Sequence, residues 1–339
     1  MDSVTLDALD VRLLHALQID GRAPFSRIAE VLGVSDRTVA RRYGRLSATG
    51  LARVVGVTIS EAVGHAEWLV RFRVLPADAA PVARALARRP DTAWVTVAAG
   101  GTEIVCLFLV SHGGSAPLDT LGRDWPLAGV DAYRLLHPVM RHRRWRGRTS
   151  ALTADEVSAL RPSWHPDTAG GRVALTALDR QLLPALAAHG RAALPELARH
   201  VGWSESAVRR RLDELRRSRA LQFDVEVDPR LFGFTVQCLL WLTVTPSRLS
   251  DVTKALTTDT ETAFVATITG THNVVAIAIC RDAGALHAYL TERIRALEGI
   301  ERLETTPVDS YAKRRAPAAN ANLSGPGLSG TSRRPPGSA

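Results

Sequence analysis

The chain has 339 residues, a formal net charge of +9 and a sequence pI of about 10.4. This length allows two to four small domains, and the basic balance favours phosphate-bearing partners over acidic small molecules. Cys106, Cys238 and Cys280 lie far apart in apolar runs, which predicts buried reduced thiols rather than disulfides or a metal site. No signal segment and no apolar run near 18 residues is present, so we expect a soluble cytoplasmic protein without membrane contact.

The sequence contains a long internal repeat. Residues 9–14 return at residues 178–183, an offset of 169 residues that holds for about forty positions. The step Gly21-Arg22-Ala23 matches Gly190-Arg191-Ala192 within this repeat. A repeat of this length is a duplicated domain rather than a solenoid unit of about 20–50 residues. Each half therefore has the framework to bind what the other half binds.

Each copy begins with three predicted helices. In the first copy, leucines recur at helical spacing over residues 9–17, and Gly21 ends that helix. The small residue Ala29 lets the second and third helices approach closely, and Gly33 permits the sharp turn between them. Ser35 is a good N-cap for the third helix. The pattern is typical of a helix-turn-helix unit.

The third helix of each copy has an apolar face and a basic face. The apolar positions, predicted to point inward, are Val39, Tyr43 and Leu46 in the first copy and Val208, Leu212 and Leu215 in the second. A short helix with arginines on its outer face fits the major groove of DNA, where guanidinium groups reach guanine edges and clamp phosphates. The predicted contacts to double-stranded DNA are Ser35, Arg37, Thr38, Arg41, Arg42, Arg45, Ser204, Ser206, Arg209, Arg210 and Arg211. The alternative is a solvated surface helix without a nucleic-acid partner.

Strand patterns follow each helical unit. A short β-rich segment, at residues 52–59 and 221–227, predicts either a wing or a lead-in to the next domain. Further strands are predicted at 68–74, 94–99, 104–110 and 130–138, with helices at 77–88 and near 117–125. The second copy has strands at 235–244, 263–269, 274–280 and 300–308, with helices at 249–258 and 283–297. The order βαββαβ predicts a four-stranded antiparallel sheet with helices on one face, leaving the other face for a partner sheet.

A connector and a tail complete the chain. Thr153 and Glu156 predict the capping-box start of a short helix that ends at Pro162, and the composition beyond residue 315 predicts disorder. The predicted domains are a winged helix-turn-helix at 4–60, a βαββαβ effector domain at 64–145, a linker at 146–173, a second winged helix-turn-helix at 174–228, a second effector domain at 232–315 and a disordered tail at 316–339.

These motifs resemble the leucine-responsive regulatory protein (Lrp)/AsnC family of transcriptional regulators. The resemblance rests on residues 9–14, on Asp20-Gly21-Arg22, on residues 32–35 and on the two glycine hairpins near Gly100 and Gly270. It covers residues 4–145 and 174–315, and it implies an α+β fold with two winged helix-turn-helix domains alternating with two ferredoxin-like effector domains. The DNA-reading helices map to residues 35–47 and 204–218. Family members usually have one such unit and form dimers, so this chain resembles a fused tandem that acts as a pseudo-dimer or as a homo-oligomer through its effector domains.

The resemblance also implies a ligand site in each effector domain, near the hairpin between its second and third strands. Family members often hold amino acids there. The matching residues are Ala99, Gly100, Gly101, Thr102 and Glu103, and Thr269, Gly270, Thr271, His272 and Asn273. A glycine turn exposes backbone amides to a carboxylate, and an acidic side chain can meet an ammonium group. At the position of Glu103 and Asn273 the family prefers Asp; Glu103 keeps this negative charge and Asn273 loses it. We therefore expect the two sites to differ. The alternative is that the glycines serve hairpin geometry alone.

The sequence offers little for catalysis. The histidines near suggestive residues are His137, His142, His165 and His272, and His142 lies in a basic run. The siroheme decarboxylases of this same family use basic and histidine residues around a tetrapyrrole, but the second copy has no counterpart of that run. No nucleophile–base pair, ligand spacing or phosphate loop is present. We therefore expect no enzymatic activity, no cofactor and no metal; a metabolite-sensing or assembly protein without DNA reading and a siroheme decarboxylase-like enzyme are the alternatives.

The combined prediction is a sequence-specific transcriptional regulator. Paired effector domains would hold the two reading helices on one side of the DNA, about 34 Å apart or a multiple of it. An amino acid or related metabolite would shift the packing of the effector domains and so change that spacing. The departures Trp203 and Glu205 at the second turn leave open that only one copy reads bases.

Overall fold

The computed structural model of the protein describes residues 6–111, 117–121, 125–140, 151–161 and 172–314. The helices are α1 (Ala8–Ile19), α2 (Phe25–Leu32), α3 (Asp36–Ala48), α4 (Pro76–Arg88), α5 (Ala154–Leu160), α6 (Ala177–Ala188), α7 (Leu194–Val201), α8 (Glu205–Arg217), α9 (Leu249–Thr258) and α10 (Ala283–Ala288). The strands are β1 (Ala52–Thr58), β2 (His65–Arg73), β3 (Thr92–Ala98), β4 (Glu103–Ser111), β5 (Gly129–Met140), β6 (Leu221–Val227), β7 (Val236–Val244), β8 (Thr262–Ile268), β9 (Val274–Cys280) and β10 (Ile300–Lys313).

The helix-turn-helix units form through the local signals that the sequence carries. Gly33 ends α2 with φ 69°, a left-handed conformation that favours glycine, and Ser35 caps α3 by accepting a hydrogen bond from the Thr38 amide. The second copy repeats both devices, with Gly202 at φ 69° and Ser204 as the cap of α8. The predicted turn and caps are confirmed in both copies.

The strands that follow α3 and α8 pair with each other. β1 and β6 form an antiparallel two-stranded sheet in register from Ala52↔Val227 to Thr58↔Leu221. The wing of each helical unit is thus completed by the strand of the other copy. We call β1 and β6 the linking ribbon. Its apolar residues, including Val54 and Phe223, are buried in one core with the helices of both copies.

The two helical units also meet in a reciprocal seam. Arg22 donates to the carbonyl oxygens of Gly190 (2.7 Å) and Ala192 (3.0 Å), and Arg191 donates to those of Gly21 (2.7 Å) and Ala23 (2.9 Å). Burial and the nearby guanidinium of Arg191 lower the pKa of Arg22 to about 10, so it stays charged at neutral pH. This seam and the linking ribbon fix α3 and α8 relative to each other.

The remaining strands close into one eight-stranded barrel, in the order β10-β3-β4-β2-β5-β8-β9-β7. Each βαββαβ unit supplies four antiparallel strands, and the units join where β5 pairs with β8 and β10 pairs with β3. The inner sheet faces share an apolar core that includes Leu69, Leu239 and Trp241. The partner sheet predicted for each open face is therefore provided within the same chain.

Two predicted helices differ from the structure. The helix predicted near residues 117–125 is a 3-10 turn at Pro117–Thr120, and residues 122–124 lie outside the described part of the chain. The helix predicted over 283–297 is α-helical only to Ala288 and continues as a π-helix at Tyr289–Ile294. In this turn the Tyr289 hydroxyl and the Arg293 guanidinium both donate to Asp259, at 3.0 Å and 2.9 Å. Asp259 is distant in sequence, so the local helical pattern could not predict these contacts.

The connector helix begins where the sequence predicts, and the cysteines are buried as the sequence predicts. Helix α5 begins with the capping box of Thr153 and Glu156, and Arg12 on α1 pairs with Glu156 at 2.5 Å. The three cysteines are buried and free, and burial raises the pKa of Cys238 and of Cys280 to about 11. The predicted disordered tail at 316–339 and the predicted helix stop Pro162, together with His142 and His165, lie outside the described residues. Within the described ranges, no helix is long and apolar enough to cross a membrane, and no group of three metal-ligating side chains is found.

Candidate nucleic-acid interface and effector site

The outer faces of α3 and α8 carry the exposed basic side chains. On α3, Arg37 and Arg41 are exposed, one turn apart, beside the small residues Ala40 and Gly44. On α8, Ser206, Arg209, Arg210, Asp213 and Arg217 line one shallow surface depression. We call these outer faces the first and second reading faces. Arginine side chains on a convex helical surface are the groups that contact phosphates and guanine edges.

The serine and threonine residues lie at the beginnings of the two reading helices. The hydroxyl oxygens of Ser35 and Thr38 are 2.8 Å apart, and those of Ser204 and Ser206 are 3.1 Å apart. Three of the four residues are exposed and Thr38 is half-buried. Besides capping, their hydroxyls add hydrogen-bonding groups to helix N-termini, which favour anions such as phosphate.

Arg42, Arg45 and Arg211, which the sequence predicts to point mostly outward, have partners within the protein; Arg45 is exposed, whereas Arg42 and Arg211 are half-buried. Arg42 donates to Asp10 at 2.9 Å, Arg45 donates to Asp10 at 2.5 Å, and Arg211 donates to Asp179 at 2.6 Å. Asp10 and Asp179 occupy equivalent positions in α1 and α6 and are fully buried. A buried carboxylate requires charged partners, so these arginines hold the reading helices against the first helix of each unit.

The ion pair between Asp179 and Arg211 predicts that the stability of the fold decreases at acid pH. Burial raises the pKa of Asp179, but hydrogen bonds from Arg211 and Thr176 outweigh it, and the net pKa lies below the ordinary 3.8. The pair therefore stabilises the folded chain above about pH 4 and loses this contribution as pH falls through the folded pKa. We expect Asp179→Asn to flatten the acid limb in urea unfolding measured from pH 6 to pH 2.5. Asp251→Asn, at a largely exposed carboxylate, is the matched control; equal acid limbs in Asp179→Asn and wild type would contradict the role.

The two reading faces differ in charge. Position 45 is arginine in α3, whereas the equivalent position 214 in α8 is glutamate, which pairs with Arg211 at 2.9 Å. The second reading face also carries Asp213 where the first has Gly44. The negative charge of a carboxylate at such a position repels phosphate. The first reading face is therefore the more favourable of the two for a phosphate backbone.

The first predicted effector hairpin has a left-handed backbone. Ala99, Gly100 and Gly101 have φ values of 53°, 67° and 84°. The Gly101 amide donates to the Asp309 carboxylate at 3.0 Å, and the Thr102 hydroxyl donates to the Ala99 carbonyl at 2.8 Å. The Gly101 amide predicted to face a ligand carboxylate thus has a partner on β10, a strand from the other copy.

The second hairpin is built into the barrel. A Cβ at Gly270, whose φ is 105°, would lie 2.8 Å from the Tyr133 ring, so only glycine fits. Thr269 and Thr271 accept hydrogen bonds from Arg134 (2.9 Å) and Thr243 (3.1 Å). Asn273 bonds both backbone groups of Val244, at 2.9 Å and 2.7 Å. The structure gives this hairpin a mainly structural role, apart from His272.

Glu103 and His272 belong to one polar cluster between the two sheets. Arg71 is 2% exposed, donates to Glu103 at 2.6 Å and to Glu304 at 2.5 Å, and stacks 4.5 Å over the Trp241 ring. The other oxygen of Glu304 lies 3.2 Å from His272 Nε2. We call Arg71, Glu103, Glu304 and His272 the inner polar cluster. It joins one predicted residue from each hairpin, whereas Arg71 and Glu304 were not predicted.

The inner polar cluster contains unmatched polar atoms. Although burial opposes its charge, the hydrogen bonds that Arg71 donates to the two glutamates raise its pKa, and the bond from Arg71 lowers the pKa of Glu304. Arg71 Nε and Glu103 Oε2 are buried without a hydrogen-bond partner in the described structure. A buried donor and a buried acceptor left unpaired are costly. The cluster therefore has one donor and one acceptor whose hydrogen-bonding capacity is not used within the described residues.

Comparison with known proteins agrees with this architecture. Residues 6–47 and 175–216 match the AsnC-type helix-turn-helix domain, and residues 237–317 match the Lrp/AsnC ligand binding domain. An HTH-type transcriptional regulator of Mycobacterium tuberculosis is 31% identical over 144 residues, which span 41% of this chain and 95% of that protein. The regulatory protein AsnC of Escherichia coli is 27% identical over 134 residues, spanning 38% of this chain and 86% of that protein. Each relative thus matches about one unit of the tandem.

A solved structure matches the whole tandem. The siroheme decarboxylase NirDL superposes with a TM-score of 0.61 over 91% of this chain and 93% of that one, at 13% sequence identity. At this identity the likeness shows a shared fold alone.

The duplicated helix-turn-helix units and the effector barrel define a DNA-binding regulator with a ligand-binding domain. The chain belongs to the Lrp/AsnC family and is a tandem form of an Lrp/AsnC-type transcriptional regulator.

Proposed function

We propose that one chain reads two DNA half-sites with its first and second reading faces, and that an amino acid bound at the inner polar cluster modulates this reading. The observation that carries the proposal is the rigid connection of two exposed basic helices by the seam and the linking ribbon. Arg37, Arg41, Arg209 and Arg210, with Ser35, Thr38, Ser204 and Ser206, supply the contacts. Since both units are present in one chain, the single chain is the pseudo-dimer that engages DNA, and it acts where the chromosome lies, in the cytoplasm.

The chemistry of the inner polar cluster supports an amino acid. Arg71, Glu103 and Glu304 sum to one negative charge, which favours a ligand ammonium group. The unpaired Glu103 Oε2 would accept from that ammonium, and the unpaired Arg71 Nε would donate to the ligand carboxylate. Glu304 is 37% exposed, so this carboxylate of the cluster faces solvent, whereas Arg71 is 2% exposed.

We infer that the chain acts through binding rather than through catalysis. The resemblance to NirDL concerns the fold, and the relatives of higher identity are named as regulators. A tetrapyrrole role would leave a Soret band on the protein after incubation with an iron-containing tetrapyrrole and removal of the unbound tetrapyrrole by gel filtration. We expect no such band under conditions where the protein retains DNA binding.

Genomic footprinting tests the proposal directly. Chromatin recovered with the tagged full chain, with and without added amino acids, should show discrete sites made of two related half-sites whose centres are about one helical turn or a multiple apart. The added amino acid should change the occupancy of a subset of sites. Uniform recovery of DNA, with no enriched sequence, would contradict sequence-specific reading.

A charge-neutral substitution tests the effector site. Glu103→Gln should weaken amino-acid binding at least about tenfold, because it replaces the unpaired acceptor with an amide of the same shape. Isothermal titration with each of the twenty amino acids identifies the ligand, and the variant is then titrated with it. Glu298→Gln, at an exposed glutamate outside the cluster, is the control. Equal affinity in the two variants would place the ligand elsewhere.

A further inference from the structure

A cavity separates the linking ribbon from the barrel. Its volume is about 140 Å³, with Val55 and Val57 of the ribbon on one side and the barrel residues Leu107, Leu239 and Ile277 on the other. No member of the inner polar cluster lines it. An apolar cavity of about 150 Å³ is large enough to bind benzene. The space therefore fits one aromatic ring.

One end of the cavity is positively charged. The Arg314 guanidinium lies 4.5 Å from the centre of the Tyr311 ring, and the Tyr311 hydroxyl donates to Gln237. Arg314 Nε is buried and has no hydrogen-bond partner within the described residues. The carboxylate of Asp228 interacts electrostatically with Arg314, but it is already paired with Arg230 at 2.6 Å. This guanidinium can therefore donate a hydrogen bond to an anionic partner.

The ribbon side supplies an acceptor. Glu226 pairs through one oxygen with Arg53 at 2.6 Å, and its other oxygen, Oε1, is buried and unpaired in the part of the chain that the structure describes. Asp224, which also lines the cavity, accepts a hydrogen bond from the Val225 amide at 2.8 Å. A hydroxyl or amino substituent on the ring would satisfy Glu226 Oε1, as a donor must to offset burial of that oxygen.

We propose that this space, the ribbon cavity, is a second ligand site that binds a small aromatic carboxylate bearing a hydrogen-bond donor, such as a hydroxybenzoate. The ring fills the apolar space, the carboxylate meets Arg314, and the donor meets Glu226. The site differs from the inner polar cluster in position and in ligand class.

The ribbon cavity is placed to influence the reading faces. β1 begins at Ala52, shortly after α3 ends at Ala48, and β6 begins at Leu221, shortly after α8 ends at Arg217. A ligand that contacts Val57 and Glu226 bears on both strands of the ribbon and hence on the separation of α3 and α8. This coupling rests on the proposed DNA reading, whereas ligand binding does not.

Calorimetric titration of the full chain tests the site with three probes. We expect 4-hydroxybenzoate to bind more tightly than benzoate, and both to bind more tightly than phenol, which lacks the carboxylate. Arg314→Gln should weaken 4-hydroxybenzoate at least about tenfold and bring benzoate close to phenol. Val57→Phe should abolish binding of all three because the larger side chain fills the cavity.

The controls separate this site from the proposed function. Arg302→Gln removes the same charge from an exposed position on the same strand, β10, and should leave all three affinities unchanged. Unchanged amino-acid binding and thermal unfolding in Arg314→Gln would show that the fold and the inner polar cluster are intact. Absence of 4-hydroxybenzoate binding in the wild type, or equal binding in wild type, Arg314→Gln and Val57→Phe, would overturn the ribbon-cavity site while leaving DNA reading untouched.

Discussion

The double replacement Arg41→Ala/Arg210→Ala is expected to lower operator affinity by at least about a hundredfold. Arg41 and Arg210 occupy equivalent exposed positions on the first and second reading faces. Loss of an arginine that reads a base costs about 1–3 kcal/mol, and loss of one that contacts a phosphate reduces the salt slope by about one. Fluorescence anisotropy with a labelled operator at several salt concentrations measures both quantities.

The matched control for this experiment is Arg84→Ala/Arg88→Ala. These two arginines are exposed on α4, on the outside of the barrel, so the variant loses the same charge away from the reading faces. We expect it to change operator affinity by less than about threefold, through long-range electrostatics alone. Equal losses in the two double variants would contradict direct contact by Arg41 and Arg210.

Single variants can also show whether the two reading faces contribute equally. The first reading face lacks the acidic neighbours of the second, where Asp213 lies beside Arg210 and Arg217. Arg41→Ala should therefore cost more affinity than Arg210→Ala. This asymmetry would suit an operator with one strong and one weak half-site.

The sequence predicted well what depends on neighbouring residues. The Ser35 and Ser204 caps and the left-handed glycines at positions 33 and 202 arise from local backbone preferences, and the strand Val274–Cys280 arises from a continuous apolar run. Such signals lie within a few residues of each other, so one sequence contains them completely.

Pairings between the two copies could not be read in the same way. Strands β1 and β6 have the composition of a wing, but their local pattern does not say which copy supplies the partner. The same is true of the β5–β8 and β10–β3 pairings that close the barrel. In a duplicated chain, a strand has two similar partners, and the choice depends on the packing of whole units rather than on the strand itself.

The side chains of the inner polar cluster were missed for a related reason. Arg71 lies between the apolar residues Val70 and Phe72 of β2, and burial of a charged residue at such a position requires an ion pair or a ligand. Its partners are 32 and 233 residues away, at Glu103 and Glu304. Because Glu67 and Arg73 are charged residues of the same strand, the sequence does not single out Arg71, and the identity of its partners required the folded barrel. Likewise, helical periodicity predicts that Arg42 and Arg211 point outward, because the periodicity of one helix gives no information about the buried aspartates on other helices with which these arginines pair.

The substitution Gly190→Ala is expected to open the seam between the helical units. A Cβ at position 190 would lie 2.8 Å from the Val54 carbonyl oxygen and 2.9 Å from the Val55 carbonyl carbon, and the Gly190 amide donates to that same oxygen at 2.9 Å. These opposing atoms are backbone of the linking ribbon and cannot rotate away. We expect a loss of about 1–3 kcal/mol in the free energy of unfolding, measured by urea denaturation.

The same substitution should change DNA recognition, because the seam sets the separation of the reading faces. Binding to operators whose half-sites are moved apart by one to three base pairs should weaken less in Gly190→Ala than in wild type. Gly44→Ala, where no atom lies within 4 Å of the added Cβ, is the stability control and should gain about 0.5–1 kcal/mol as an exposed helical position. At Gly21 the new Cβ would meet Phe223 Cβ at 2.8 Å and Val54 Cγ1 at 2.9 Å, and the position of a Cβ atom is fixed by its own backbone. Gly21→Ala should therefore also destabilise the fold, and wild-type stability in either variant would mean that the ribbon yields at these contacts.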